Sequence, residues 1–375
     1  MSDISKTKKI TKKPRNITIK RKVNDDTQNE KYDKQLEKKF KRLDKKGFNE
    51  SKVAEYDNYK EKLNRSVIAN NHNKYPYLYP DLDDPNFNVK IAERKEFNDT
   101  KYDGKIRPII EDANKLCNAE FELSPHQLFV KNFLSFQTPY NSLLLYHGLG
   151  SGKTCSAIGV AEEMRDYLKQ IGNSQRIIVV ASPNVQTNFK IQLFDDRKLK
   201  EIDGIWNIRS CTGTKYLKEI NPMIMKGLPK ETVIRQVKRL IDSSYVFMGY
   251  IEFANHILNK SRVDDPELSE EKRQRIMKRK LVKHFSSRLV IIDEVHNIRI
   301  TQDNKDKRVA NELFKLAKYV PNLRLLLLSA TPLYNSYEEV IWLINIMNVN
   351  DDRPPIRQRD VFYSDGTFKL DKDGR

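Results

Sequence analysis

The feature that most constrains this chain is a glycine-spaced run, His147-Gly148-Leu149-Gly150-Ser151-Gly152-Lys153-Thr154. It stands between the apolar stretch Ser142–Tyr146 and a stretch of helical periodicity, Lys153–Gln170. Glycines at alternate positions let the backbone curl so that successive N–H groups point at one place. A helix that begins after Gly152 adds the positive end of its dipole there. A strand before and a helix after distinguish a phosphate-binding loop from a chance glycine cluster. The expected nucleotide contacts are Gly148, Gly150, Ser151, Gly152, Lys153 and Thr154, with Lys153 reaching the β and γ phosphates and the Thr154 hydroxyl on Mg²⁺. The usual pattern has glycine six positions before the lysine, where this chain has His147.

Two later runs extend the reading. Asp293-Glu294-Val295-His296 follows four apolar residues, 289–292, that read as a buried strand. Both carboxylates therefore emerge at a strand's carboxyl end, where open parallel sheets bind ligands. Asp293 is the expected Mg²⁺ holder, through water because Mg²⁺ sheds water reluctantly. Glu294 is the expected base that orients and deprotonates an attacking water. Two carboxylates after a strand can also simply cap a helix, but that leaves His296, counted here with the catalytic group, unexplained. Ser329-Ala330-Thr331-Pro332 closes the apolar run 325–328. The hydroxyls of Ser329 and Thr331 can bond to the Asp-Glu-Val-His segment and couple it to nucleotide state.

The rest of the chain sets the frame. Apolar stretches at 176–181, 244–248, 288–292 and 323–328 alternate with helical periodicity after 182–184 and at 252–258, 309–319 and 337–347. A helix is also expected from Ser124. Strands alternating with helices predict an α/β fold: a mostly parallel central sheet with helices on both faces, built around the phosphate loop. The expected domains are a disordered basic tail at 1–30 and a charged, partly helical extension at 31–120 with a Pro- and Tyr-rich linker (75–85). The nucleotide-binding domain follows at 121–350, with compact structure beginning near Phe121, and 351–375 forms a linker. The linker tyrosines either stack on bases or pin the linker to the domain.

Charge is uneven. The formal net charge is +18, and the first fifty residues hold 17 Lys and Arg against 8 Asp and Glu. Such a surplus favours polyanions or, in the tail, solubility. A second basic stretch at 267–284 reads either as a nucleic-acid contact or as a solvated helix face. Cys117, Cys155 and Cys211 form no CxxC pair, so neither a disulfide framework nor a zinc site is expected, and a reducing intracellular setting follows. The apolar runs 325–328 and 340–346 are too short to cross a membrane, and no membrane partner is expected.

The three runs, in this order, resemble motifs I, II and III of superfamily 2 helicases and translocases of the DExH type. Leu123-Ser124-Pro125-His126-Gln127 is similar to the segment before motif I in that group, which implies that Gln127 reads adenine. Residues 179–188 resemble motif Ia, and Tyr250-Ile251-Glu252-Phe253 resembles a later segment that touches nucleic acid. Residues 331–339 are similar to the same stretch of Swi/Snf-type translocases, which implies duplex DNA over RNA. The Lys- and Asn-rich composition and the 146–150 opening look most like transcription-associated helicases of large DNA viruses of the poxvirus and mimivirus kind. The resemblance covers about 120–350. It implies an ATP- and Mg²⁺-dependent motor half with a RecA-like fold. It also implies a second RecA-like domain, in cis or in trans, and viral RNA polymerase or other transcription machinery as partners in the virion and the host cytoplasmic factory. No second set of motifs follows Asn350, and Arg353, Arg357 and Arg359 match no arginine finger. The competing class is a non-catalytic transcription-factor subunit or scaffold that keeps the fold. An AAA+ ATPase fits the third run poorly.

Overall fold

The computed structural model describes residues 78–102, 104, 108, 110, 122–148, 150–208, 210–265, 267–298, 308–331, 337–363 and 367–369. The basic tail, the charged extension as far as residue 77, Leu149 and residues 332–336 lie outside them. The chain divides into two units between Leu78 and Tyr79, and the second holds all the described strands and helices.

Its strands are β1 (Ser142–Tyr146), β2 (Ile177–Val180), β3 (Lys200–Ile202), β4 (Ile205–Asn207), β5 (Tyr245–Met248), β6 (Leu289–Ile292) and β7 (Arg324–Ser329). Five of them form one sheet in the order β1-β7-β6-β2-β5, every pairing parallel. The strand closed by the third run is thus inserted between the strands that carry the first and second. Period-two alternation divides the apolar side chains between the faces. Ile177 and Val179 of β2, Leu289 and Ile291 of β6, and Leu326 and Leu328 of β7 share one core with Ala157, Val160, Met164 and Leu168 of the helix Lys153–Gln170. Ile178, Val180, Val290, Ile292, Leu325 and Leu327 face the other way, onto Phe253, Ile257, Leu281, Phe285, Leu313 and Leu316. Each such side chain contributes about 1.5–3 kcal/mol when fully buried. The two-sided burial explains why these strands read as unbroken apolar runs.

The compact unit begins earlier than the expected Phe121. Short helices at Phe87–Glu93 and Lys95–Asn98 carry Ile91 and Phe97 into a small core with Phe133 and Tyr140. The Tyr79 hydroxyl donates to Glu96 Oε1 at 2.6 Å, and the Tyr140 hydroxyl donates to the Pro80 carbonyl at 2.7 Å. Of the two readings of the linker tyrosines, Tyr79 follows the second: it pins the linker.

A hairpin absent from the expectation, β3–β4, turns at Asp203-Gly204, both with positive φ (53° and 80°). Such values suit a two-residue turn, and Asp-Gly is its usual sequence. Beneath the phosphate-loop helix lies a buried ionic cluster. Glu162 accepts hydrogen bonds from the hydroxyls of Tyr216 and Tyr245, each at 2.6 Å, and pairs with Arg165 at 2.8 Å and Lys215 at 2.9 Å. Burial pushes its carboxyl up, but Lys215 and Arg165 overcome that and hold it below the usual 4.5.

The cysteine expectation is corrected. Cys155 and Cys211 are joined by a disulfide, their Cα atoms 5.2 Å apart across a sequence separation of 56. Cys155 lies on the first turn of the Lys153–Gln170 helix, and the Cys211 backbone N–H is held by the Gln192 carbonyl at 3.2 Å. Proximity comes from a crossover connection that no local spacing rule detects.

Removing the Glu162 charge leaves Arg165 and Lys215 short of a buried partner, so Glu162→Gln is expected to cost about 3 kcal/mol in denaturant unfolding. Because the folded-state value is depressed, the charge stabilises fully above 4.5 and less as pH falls through the folded value. Thermal melting of the parent should therefore drop on acidification by more than that of the Gln variant. Alkylation of the unfolded, unreduced chain is expected to label one cysteine of the three, as read by intact mass.

Candidate nucleotide site

Parallel register sets the stage. Tyr146 at the end of β1 is level with Ser329 at the end of β7, and Ile292 of β6 is level with Leu327. The three runs therefore leave the sheet together, at its carboxyl edge. The Asp293 backbone N–H continues the pairing to the Val180 carbonyl at 2.9 Å.

The loop takes its shape from two glycines in the left-handed region, Gly150 and Gly152, both with φ 79°. Gly152 caps the helix Lys153–Gln170. A Cβ there would lie 2.5 Å from Gln127 Nε2. Ser151 folds back, its hydroxyl donating to the Gly148 carbonyl at 2.8 Å. Gln127 braces the loop from the helix Pro125–Phe133: its amide nitrogen donates to the Gly152 carbonyl at 3.3 Å and its oxygen accepts from the Ser124 N–H at 3.0 Å. His126, given no role by the sequence reading, adds a second brace, with Nε2 3.1 Å from the Ser151 carbonyl and Nδ1 2.8 Å from the Tyr102 hydroxyl. Burial, then the nearby His126 and Lys153, push the His147 imidazole down toward its neutral form.

At the centre, Lys153 Nζ is buried and makes no hydrogen bond among the described residues. A buried ammonium without an acceptor is costly, and a bound anion is the direct remedy. Thr154 follows on the helix's first turn, partly buried. Asp293 is also buried; burial first, and then the Glu294 charge, raise its carboxyl above the usual range, with Lys153 opposing them. A carboxylate so placed is stabilised by a further cation. These donors fit an anion and a hard cation side by side: glycine N–H groups and an ammonium for phosphate, a hydroxyl and a carboxylate for Mg²⁺.

Glu294 occupies the left-handed region, φ 47°, uncommon for a non-glycine residue and strained. That bend turns its carboxylate toward the His296 ring, whose Nδ1 is 3.2 Å from Glu294 Oε2. The same nitrogen is 3.0 Å from Ser329 Oγ, in hydrogen-bond geometry, and that oxygen accepts the Thr331 N–H at 3.1 Å. Glu294, His296, Ser329 and Thr331 thus form one chain of contacts from the second run to the third. The Tyr250 hydroxyl donates to the Asp293 carbonyl at 2.9 Å and accepts from Asn297 Nδ2 at 3.4 Å. The sequence assigned Tyr250 to a nucleic-acid segment and overlooked Asn297, which has no distinguishing local signal.

The remaining candidate residues are placed apart from this chain of contacts. Gly148 opens the loop, and a methyl group added there would meet nothing within 4 Å. Arg353 donates to Asn348 Oδ1 at 3.0 Å and pairs with Asp83, while Arg357 stands 3.6 Å from Asp360. Among the described residues no group of three or more His, Cys, Asp or Glu could by itself hold a metal ion, and no helix is long and apolar enough to cross a membrane.

A parallel sheet with a glycine loop on one strand, paired carboxylates on another and a hydroxyl-bearing strand between them defines a RecA-like P-loop domain. The chain belongs to the family described as Type III restriction enzyme, res subunit, which matches residues 120–333. Two proteins of Acanthamoeba polyphaga mimivirus, named as ATP-dependent RNA helicases, are 27% and 26% identical over 68% and 74% of this chain. An early transcription factor large subunit homolog of African swine fever virus is 25% identical over 79% of it. The matches cover 21%, 40% and 32% of those proteins, so the chain spans well under half their length.

Gly152→Ala tests the loop geometry. The left-handed backbone costs a side chain about 1–2 kcal/mol, and the new methyl displaces the Gln127 amide. Melting temperature and nucleotide affinity should both fall. Adding Gln127→Ala should restore part of the affinity by removing the clash, while the backbone cost remains.

Proposed function

We propose that this chain is the ATP-binding half of a nucleic-acid-dependent ATPase of the helicase or translocase kind, acting in viral transcription or DNA handling. The observation that carries the reading is the buried Lys153 ammonium of the glycine loop, without a hydrogen-bond partner among the described residues and close enough to the buried Asp293 for its charge to act on that carboxyl. In this reading the N–H groups of 148–154 and Lys153 bind the phosphates. Thr154 and Asp293 hold Mg²⁺, which when bound neutralises phosphate charge and orients the terminal phosphate. Glu294 positions a water and takes its proton, while His296 holds the Glu294 carboxylate in place and reports to Ser329. Gln127 braces the loop, and any adenine contact would use what remains of its hydrogen-bonding capacity. Nucleic acid lies across the same carboxyl edge, near Tyr250 and Thr331. Duplex DNA rests on the Swi/Snf-like run alone, whereas the mimivirus relatives are named for RNA.

An arginine supplied across such a site is typically worth about 10³–10⁵ in rate. The local partners of Arg353 and Arg357 favour a second RecA-like half as its source. The second reading, a transcription scaffold with a silent nucleotide fold, draws on the name of the African swine fever virus relative.

The deciding experiment measures MgATP binding and ATPase turnover of the 375-residue chain and of a protein that includes the second half, with single-stranded DNA, duplex DNA and RNA. The chain alone is expected to bind MgATP and turn over very slowly. Lys153→Ala should abolish binding, and Glu294→Gln should preserve binding while removing turnover in the longer protein. Absence of turnover in the longer protein with every nucleic acid, together with transcription left unchanged by both substitutions, would favour the scaffold.

A further inference from the structure

The basic stretch between β5 and β6 folds into a second cationic surface, and topology places it away from the nucleotide site. The helix Tyr250–Ser261 leaves the carboxyl end of β5 and runs back along the sheet, so Lys260 stands near the amino edge. The helix Glu270–Phe285 feeds β6 and brings Lys280, Lys283 and His284 to that same edge. Arg288, just before β6, completes the group; its Nε donates to the Arg176 carbonyl at 2.6 Å. Lys280 Nζ donates to the Arg262 carbonyl at 2.6 Å, tying the two helix ends together.

The charges are not balanced locally. From Arg275 to His284 the helix holds no acidic residue. A merely solvated helix face interleaves Glu with Lys at four-residue spacing. The acids nearby stand at or before the helix's first turn, where Asp264 pairs with Arg262 and Glu270 with Arg273 at 3.4 Å. Burial, then Lys260, Lys283, Arg288 and Lys280, push the His284 imidazole down. Burial, then Arg288, Lys260 and His284, do the same to His256, with Glu252 alone opposing. His256 Nε2 is buried without a hydrogen-bond partner among the described residues.

We infer that this amino-edge surface, centred on Lys260, Lys280, Lys283 and His284, is a second nucleic-acid site that grips the phosphate backbone outside the motor's own track. Its occupant must be densely anionic, and a duplex offers one charge per about 1.7 Å. The chain's own first fifty residues cannot serve, since 17 Lys and Arg face 8 Asp and Glu there. Contacts of this kind read no base sequence and bind with strong salt dependence.

The test uses the 375-residue chain without nucleotide, so that its outcome is independent of any ATPase reading. Fluorescence anisotropy with a duplex of about 20 base pairs and an RNA of about 20 nucleotides, each longer than one helical turn, would be run across a salt series, with poly-glutamate as competitor. Lys260→Ala combined with Lys283→Ala is expected to weaken binding on the order of tenfold or more near 0.1 M salt and to reduce the log–log salt slope by about 1.8 for the duplex and about 1.4 for the single-stranded RNA. The paired Lys→Arg variant should bind like the parent. An unchanged affinity and slope in the alanine variant would overturn the proposal. So would poly-glutamate that competes as well as the oligonucleotides at equal charge, because the surface would then serve acidic protein.

Discussion

Parallel pairing of β7 with both β1 and β6 is the constraint on which the rest depends. It places the phosphate loop, the paired carboxylates and the Ser329 hydroxyl at one edge, on three adjacent strands. The pairing is backed by apolar burial on both faces. Binding chemistry can therefore sit at the strand ends and in the loops beyond them while the layers beneath stay rigid.

On that frame the site is arranged at an electrostatic loss. Among the described residues Lys153 Nζ is buried without an acceptor, Asp293 is buried beside a second carboxylate, and Glu294 holds a left-handed backbone. Each is unfavourable alone, and the first two would be relieved by the opposite charge that a metal–phosphate ligand carries. The contrast with Glu162 is instructive. That carboxylate is equally buried, yet two hydroxyls, an arginine and a lysine satisfy it fully. It secures the helix behind the loop and has no chemistry left to offer.

Much of this was legible in advance. The strand Ser142–Tyr146 and the helix Lys153–Gln170 match their expected bounds, and β2, β6 and β7 fall within two residues of theirs, because buried strands and an amphipathic helix announce themselves by period. The β3–β4 hairpin escaped although Asp203-Gly204 is a turn signal, since only three residues flank it on each side. The onset at Tyr79 and the Cys155–Cys211 disulfide escaped for another reason. Both depend on distant chain segments meeting, and a sequence read locally holds no record of that.

The sequence by itself determined the candidates and the frame: which residues could cradle phosphate, which carboxylates follow a buried strand, and that strands and helices alternate. Only the tertiary structure decided adjacency. Strand order places the third run between the other two, so that His296 can touch Ser329 and Glu294 together. Packing turned Gln127 and His126 into braces of the loop. The basic stretch, ambiguous as sequence, became a surface once two helices carried their lysines to one edge. Residue type sets what a group can do, while the direction of the chain between strands sets which groups meet.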